Sequence, residues 1–283
     1  MTANTATSSP PLTSLPSLIL TTGPFLFAWS LLRQYTTKNG PSRIASTLIT
    51  INSQVYALFS ALLSYLLIQS YLNTQHALPG QAAVVTLPLG LSIPYLNRTT
   101  LTIADLGLIY HYSKIYEYAD VLLLVAQGKV IGQHMAFHHI TTPFLTYFRV
   151  LNCSGTDWRV FALANAVHHT FMYAYFGGVG NWLRSVIPYT GWAQLILGLG
   201  VDGWWMFETK GGKEVSGHVL GGGRLDEREV RTNTGDETTN RGIAILLLTR
   251  YAMLFWQELK EGRAAMSKEQ RERARAKQGQ AQG

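Results

Sequence analysis

Charged residues are scarce in this sequence. Only 14% of the 283 residues are Asp, Glu, Lys or Arg, whereas roughly a quarter of an average soluble domain is charged. A surface that faces water needs charge to stay dissolved, so much of this chain is expected to face lipid. The shortage excludes an ordinary soluble domain and predicts an all-α membrane protein, because a helix pairs its own backbone polar groups.

Cysteine is almost absent too. Cys153 is the single cysteine, which excludes a disulfide scaffold and a thiolate zinc site within one chain. Positive charge is present, with a formal net charge of +7, but seven of the 23 basic residues lie in the segment 260–283. There they follow an apolar stretch, where positive charge fixes membrane orientation. No recognition module accompanies them, so no nucleic-acid partner is predicted.

Long apolar stretches make up most of the chain. Crossing a bilayer takes roughly 20 mostly apolar residues, and seven stretches qualify: 15–33, 47–72, 101–126, 131–151, 159–178, 187–207 and 242–258. The sequence therefore predicts seven transmembrane helices in one domain over 15–258, with a polar loop at 208–241. Residues 1–14 lack the basic start of a cleaved signal peptide, and residues 259–283 are predicted to form a basic tail.

The orientation in the membrane follows from the positions of Lys and Arg, since short basic segments stay on the cytoplasmic side. The basic tail predicts a cytoplasmic C-terminus, and seven crossings then place the N-terminus in the lumen. In this orientation the two glycosylation sequons, which begin at Asn97 and Asn152, lie on the predicted lumenal face.

The third apolar stretch carries three ionisable residues at membrane depth. Lys114, Glu117 and Asp120 are spaced three residues apart, so Glu117 neighbours both of the others on a helix. A charged side chain in hydrocarbon costs at least roughly 2.5 kcal/mol, so such residues face the protein interior or a cavity. Two interpretations stay open: an internally neutralised cluster that links helices, or a group that binds and orients a polar substrate.

Histidines are concentrated in the next two stretches. Five of the chain's eight lie within 36 residues, at His134, His138, His139, His168 and His169. His134 and His138 share one helix face at i, i+4, and His139 lies about 100° around the helix. A single membrane histidine typically links helices by a hydrogen bond, whereas five together favour a functional site.

Asn165, His169 and Tyr173 form a stripe along the fifth stretch at four-residue spacing. An amide and a phenol beside an imidazole can set its tautomer and donate hydrogen bonds. Imidazole takes and returns protons near neutral pH, and its neutral form is a nucleophile toward thioesters. The stripe therefore favours acid–base or acyl-transfer chemistry.

Three motifs in this region resemble, in order and spacing, those of the ELO family of very-long-chain fatty-acid elongases. They read Lys114-Ile-Tyr-Glu117-Tyr-Ala-Asp120, then Phe137-His138-His139 followed by Pro143, then Asn165-Ala-Val-His168-His169-Thr-Phe-Met172-Tyr173-Ala-Tyr175-Phe176. The resemblance covers roughly residues 101–200. The departures are Met135 where the family has its first histidine, Val121 where it has threonine, and Thr190 and Gln194, which only loosely match its sixth-helix motif.

The resemblance implies a fold of six helices in an inverted barrel around an acyl tunnel, with a seventh helix outside. It implies that a long-chain acyl-CoA condenses with malonyl-CoA at the endoplasmic reticulum membrane to give 3-oxoacyl-CoA, CoA and CO2, without a metal or other cofactor. The expected partners are these two thioesters, membrane lipid and other enzymes of the elongation cycle.

The resemblance also assigns roles by position. His138 and His169 would be the paired imidazoles, and His138 would accept the acyl group or act as a base. His139, Asn165 and Tyr173 would orient and polarise, while Lys114, Asn165 and Tyr173 are candidate donors to the enolate. The other predicted substrate contacts are Glu117, Asp120, His134, Met172 and Tyr175. The CoA phosphates are expected at the cytoplasmic rim, near Lys129 and Arg184.

Two other functions fit parts of the sequence. The spacing of His134, His138 and His139 also matches a histidine box of a membrane di-iron desaturase or hydroxylase, but such enzymes use about eight histidines in three boxes. The remaining histidines, His76, His111 and His218, are isolated. A non-catalytic seven-helix protein is the third possibility, and Met135 is the observation that favours it.

Overall fold

The computed structural model describes residues 10–76, 84–88, 99–153, 157–210 and 234–281. Within these ranges the chain forms a two-stranded sheet, a short π-helical segment and eight α-helices. In chain order they are α1 (Leu15–Asn39), α2 (Ala45–His76), β1 (Val84–Thr86), β2 (Thr100–Thr102), α3 (Ile103–Tyr116), α4 (Tyr118–Ala126), α5 (Gln133–Thr146), the π-helical segment (Tyr147–Leu151), α6 (Trp158–Phe176), α7 (Leu183–Lys210) and α8 (Thr234–Ala281).

Each predicted membrane span falls on one of these helices or, for the third and fourth spans, on two or three consecutive segments. Two helices, over Leu15–Asn39 and Ala45–Gln75, are by length and hydropathy alone able to cross a membrane. Large apolar side chains are exposed along both, including Leu20, Phe27 and Leu58, as expected of a surface in lipid. The largely helical structure is consistent with an all-α membrane fold, while the number of crossings and the acyl tunnel stay predictions.

Several sequence predictions fall outside the described residues in whole or in part. Most of the segment 1–14 and most of the loop 208–241 lie there, as do Asn97 of the first sequon and Ser154 of the second. Asn152 is described and exposed, and its side-chain amide donates a hydrogen bond to the carbonyl of Tyr147 at 2.7 Å. The tail predicted at 259–283 continues the backbone of α8 as far as Ala281.

The helices contact one another in a closed succession. α2 packs against α6, α6 against α7, α7 against α8 and α8 against α5, and the α3–α4 pair lies between α5 and α2. α1 lies outside this succession, mainly against α4. The α6–α7 contact is close, because a Cβ added to Gly198 would lie 2.8 Å from Cδ2 of Phe161. A small residue at this position lets the two helices approach.

The third span differs from the single helix that the sequence predicts. Its first residues form β2, which pairs antiparallel with β1, and α3 begins only after Thr102. The Thr102 side chain accepts a hydrogen bond from the backbone of Asp105, whose carboxylate accepts one from the backbone of Thr102. This capping box satisfies backbone donors that a helix start leaves unpaired. The span is then interrupted at Glu117, which separates α3 from α4.

The fourth span ends in a wider π turn. Pro143 lies within α5 and has no backbone N–H to donate to the carbonyl four residues earlier. One turn later the chain changes to the π-helical segment Tyr147–Leu151. Apolar periodicity cannot predict this change, because a π turn adds a residue without altering the apolar character of the stretch.

A cluster of five charged residues, four of them buried, joins the ends of α5, α6, α7 and α8. We call it the charged cluster; its members are Arg149, Asp157, Asp202, Glu237 and Arg241. Arg149 Nε lies 2.6 Å from Asp202 Oδ1, and Arg241 lies 2.7 Å from Asp157 and 3.2 Å from Asp202. Arg241 also stacks over the ring of Trp205. Arg149 is about 15 Å along the helix from His139, so this cluster is separate from the histidines.

Asp157 lies outside the predicted spans. Its burial disfavours the charged form, but hydrogen bonds from Arg241 and the charges of Arg241 and Arg149 outweigh burial and lower the pKa of the carboxyl. A lowered pKa keeps Asp157 ionised and paired at neutral pH. The pair therefore ties the start of α6 to α8.

Cys153 provides a direct test of the packing beside the charged cluster. Burial raises the pKa of its thiol to about 12, and its Sγ donates to the carbonyl of Phe148 at 3.2 Å. Because the thiolate is the reactive form, we expect maleimide to leave the folded protein unlabelled at neutral pH and to label it once SDS unfolds it. Rapid labelling of the folded protein, measured by intact-mass spectrometry, would show that the thiol is accessible.

Candidate functional site

The structure brings the two histidine motifs together. His138 and His139 come from α5 and His168 and His169 from α6, and the ring centroids of His138 and His169 are 6.5 Å apart. The rings of His138 and His139 are 5.1 Å apart, and those of His168 and His169 are 5.8 Å apart. His139, His168 and His169 are buried. Four imidazoles from α5 and α6, which are not adjacent in the succession of helices, thus lie in one region between them.

Glu117 connects all three motifs. It is fully buried at the break between α3 and α4. Its Oε1 accepts hydrogen bonds from Lys114 Nζ at 2.6 Å and from the hydroxyl of Tyr56 at 2.8 Å. His169 Nδ1 lies 3.2 Å from the same oxygen, and His139 Nδ1 lies 3.8 Å from Oε2. The group of Lys114, Glu117 and Asp120 therefore links helices and contacts the histidines, while its part in binding a polar substrate stays a prediction.

Asp120, the last residue of the first motif, accepts hydrogen bonds from two other helices. One carboxylate oxygen accepts a hydrogen bond from the Tyr173 hydroxyl, and the other accepts one from the Asn52 amide at 2.5 Å. The carbonyl of the Asn52 side chain accepts in turn from the Tyr116 hydroxyl. Since a phenol has one proton to donate, Tyr173 is committed to Asp120 in this arrangement.

Asn165 is fixed between three helices. Its amide nitrogen donates to Gln194 Oε1 at 2.7 Å and lies 3.4 Å from His169 Nε2, while its oxygen accepts from the Tyr110 hydroxyl at 3.1 Å. An amide N–H directed at Nε2 assigns the ring proton of His169 to Nδ1, which faces Glu117. The stripe predicted from the sequence therefore places an amide donor beside Nε2 of His169.

The two residues of the sixth span that only loosely match the family motif do contact the third motif. Thr190 and Gln194 lie one turn apart on α7, and Thr190 Oγ1 is 2.9 Å from His168 Nδ1. Gln194 holds Asn165, as described above. Both α7 residues therefore support the third motif from the neighbouring helix.

The remaining predicted residues lie around this centre. His134 is partly exposed, with its Nδ1 2.7 Å from Glu258 Oε2 of α8 and its ring 6.0 Å from that of His138. Met172 packs beside Tyr56 and Tyr173. Tyr175 packs against Phe176, and its position two residues after Tyr173 places it on another face of α6.

Sequence reasoning missed two residues of α2. Tyr56 contacts Glu117, and Asn52 contacts Asp120, yet neither belongs to a recognised motif. The available signal was a run of polar residues at four-residue intervals in an otherwise apolar span, at Asn52, Tyr56, Ser60 and Ser64. Such spacing places polar groups along one face of a helix, and here that face turns towards the site.

Glu117, His138 and His139 also form a potential metal-binding group. One ligand atom from each lies within 4.8 Å of the others, and two imidazoles with a carboxylate suit zinc or non-haem iron. In the part of the chain that the structure describes, this is the single such group. Two irons held by three histidine boxes would need further clusters, so the described residues do not favour the di-iron interpretation.

Histidines and a carboxylate meet among apolar helices. The chain is therefore a membrane protein with a site built from imidazole rings. The model of the ELO (GNS1/SUR4) family matches residues 10–269, so the chain belongs to this family. It is 27% identical over 108 residues to fatty acid elongase A of Dictyostelium discoideum, a match that covers 36% of this chain and 40% of that protein. No solved structure matches the chain. Family membership supports a role in fatty-acid elongation.

Proposed function

We propose that this protein is the condensing enzyme of fatty-acid elongation. It joins a long-chain acyl-CoA to malonyl-CoA and releases 3-oxoacyl-CoA, CoA and CO2. The observation that carries the proposal is the meeting of His138 and His169 across α5 and α6, with their rings 6.5 Å apart and Glu117 beside His169. Membership of the ELO family supports it.

His138 is the best candidate for the acyl acceptor. His139 and His169 lie against Glu117, His168 is bonded to Thr190, and His134 is bonded to Glu258. Among the described residues, no hydrogen bond engages the ring of His138. A nucleophile needs a free lone pair, and His138 retains one.

The first step is acyl transfer to His138. A ring nitrogen of the neutral imidazole attacks the thioester carbonyl, the C–S bond breaks and CoA leaves as the thiolate. The acylated ring then loses its remaining N–H proton, and the thiolate gains a proton to give CoA. We assign this proton relay to His169, because Asn165 and Glu117 fix its tautomer beside the His138 ring.

The second step is condensation with malonyl-CoA. Loss of CO2 leaves an enolate, whose carbon attacks the acyl carbonyl, and the C–N bond to His138 breaks. The departing ring takes up one proton, which is the proton that the overall reaction consumes. Of the three predicted enolate donors, Lys114 keeps the most unused N–H groups. Its ammonium has three, and Glu117 accepts a hydrogen bond from one of them. Tyr173 and Asn165 are engaged by Asp120 and Gln194.

The ends of the helices suggest where the two thioesters bind. Lys129 follows α4, Arg184 is the second residue of α7 and His134 is the second residue of α5. Lys129 and Arg184 are exposed. We assign the CoA phosphates to this end, which the basic tail marks as cytoplasmic. The acyl chain would then extend between the apolar helices. The proposal includes residence in the endoplasmic reticulum membrane and contact with the other elongation enzymes, and it needs no metal or cofactor.

Purified protein supplied with labelled malonyl-CoA and a series of acyl-CoAs tests the proposal. We expect labelled 3-oxoacyl-CoA with at least one chain length, and a mass increase equal to the acyl group when malonyl-CoA is omitted. Failure to form product from saturated and unsaturated chains, in protein shown to be folded, would favour a non-catalytic function. About two iron atoms per chain would support a di-iron enzyme instead.

Tyr56→Phe tests the contribution of α2 to the site. The change removes one hydrogen bond to the buried Glu117 carboxylate while it keeps the ring, which packs 4.5 Å from that of Tyr173. We expect kcat to fall about tenfold, as the loss of about 1.4 kcal/mol predicts. Tyr65→Phe, an exposed tyrosine of the same helix, is the matched control. Equal rates for both variants would mean that Tyr56 does not support Glu117.

A further inference from the structure

Glu117, His138 and His139 bring ligand atoms within 4.8 Å of one another, and two of these side chains carry a buried atom without a hydrogen-bond partner. Glu117 Oε2 and His139 Nδ1 are buried and make no hydrogen bond, and in the described part of the chain no hydrogen bond engages the ring of His138. Glu117 and His139 are 0% and 6% exposed. Buried polar atoms are normally paired, so unpartnered atoms from neighbouring side chains indicate a place for a further polar group or an ion.

The chemistry of this group matches a divalent cation of the zinc type. Two neutral imidazoles and one carboxylate are a common ligand set of zinc sites that keep a fourth position open. Lys114 occupies Oε1 of Glu117 and leaves Oε2 available. Zinc bonds of about 2.0–2.2 Å place tetrahedral ligands about 3.3 Å apart. The three ligand atoms, now within 4.8 Å, would need to close by an ångström or so, which side-chain rotation supplies.

We propose that Glu117, His138 and His139 form an inhibitory Zn²⁺ site. Zinc bound there occupies the free oxygen of Glu117 and the lone pair of His138, which the proposed condensation requires. The inhibitory effect rests on the proposed function, whereas the binding itself does not. Zinc and acylation therefore compete for the same nitrogen of His138.

Binding is tested on purified full-length protein that carries no histidine tag and has been stripped with EDTA. Titration of Zn²⁺ against a chromophoric chelator should show about one tight site per chain. Glu117→Gln and His139→Ala should each weaken binding at least about tenfold, and His134→Ala should leave it within about twofold. An unchanged affinity in the first two variants, or a loss in His134→Ala, would overturn the assignment.

X-ray absorption of zinc bound to the unmodified protein gives a test that does not depend on the folding of a variant. The expected first shell contains nitrogen and oxygen at about 2.0–2.2 Å, with imidazole scattering from two histidines. A shell of oxygen alone would mean adventitious binding at the surface and would contradict the proposal.

Activity measurements separate this inference from the proposed function. Zinc should abolish condensation in proportion to its occupancy, EDTA should restore it, and prior exposure to acyl-CoA should protect. Full activity with zinc bound would refute inhibition and leave the condensing function standing. An absence of condensation without zinc would refute the proposed function, while the binding measurements would still be interpretable.

Discussion

His138→Ala is expected to abolish condensation and to prevent formation of the acyl-enzyme. The ring of His138 is the free imidazole beside His169, so its removal takes away the proposed nucleophile and not only a proton carrier. The rate should fall by at least about 10³-fold. The measurement is turnover of labelled malonyl-CoA, with intact-mass analysis of protein exposed to acyl-CoA alone.

His169→Ala is expected to lower turnover to a similar degree, because the relay beside His138 is lost, while His134→Ala should be milder. His134 lies at the rim against Glu258, and α5 is regular from Gln133 to Thr146, so no local irregularity moves His134 to the position of Met135. Gel filtration must show that all three variants remain folded. Near-normal turnover in His138→Ala or His169→Ala would refute their roles.

Arg241→Met is expected to destabilise the protein by about 3–5 kcal/mol. Arg241 is fully buried and pairs with Asp157, Asp202 and Glu237. Removal of its charge leaves an excess of buried negative charge, whose desolvation is no longer compensated. Unfolding by SDS, followed through tryptophan fluorescence, measures the change.

Arg33→Met is the matched control, because Arg33 is exposed near the end of α1. This substitution should change stability by less than about 0.5 kcal/mol. If both arginine variants unfolded at the same SDS concentration, the charged cluster would have no part in stability. The distance of this cluster from the histidines predicts that residual folded Arg241→Met retains condensing activity.

Much of the fold could be predicted because membrane helices depend on composition more than on detail. The span predicted at 47–72 lies within α2, and the span predicted at 159–178 nearly coincides with α6. The number of consecutive apolar residues determines both. β2 and the break at Glu117 were not predictable, because the first depends on pairing with β1 and the second on polar contacts from other helices. The charged cluster was missed for the same reason: its members are far apart in sequence.

The candidate site likewise contains residues that the sequence predicts and residues that it does not. The histidines and Glu117 were predictable, because ionisable groups in apolar stretches are conspicuous. Tyr56 and Asn52 were not singled out, since a tyrosine and an asparagine in a long helix carry no charge. The hydrogen bond from Tyr173 to Asp120 was not predictable either, because it is a contact between helices that no spacing along the chain reveals.

The π-helical segment changes the face that the chain presents after α5. A π turn holds about one residue more than an α turn, so the residues beyond Leu151 are rotated by about 100° from their place in a continuous α-helix. Arg149 lies within this turn, where its guanidinium reaches Asp202. Deleting one residue between 147 and 151 would restore ordinary winding, and the chain would then leave this helix towards α6 in another direction.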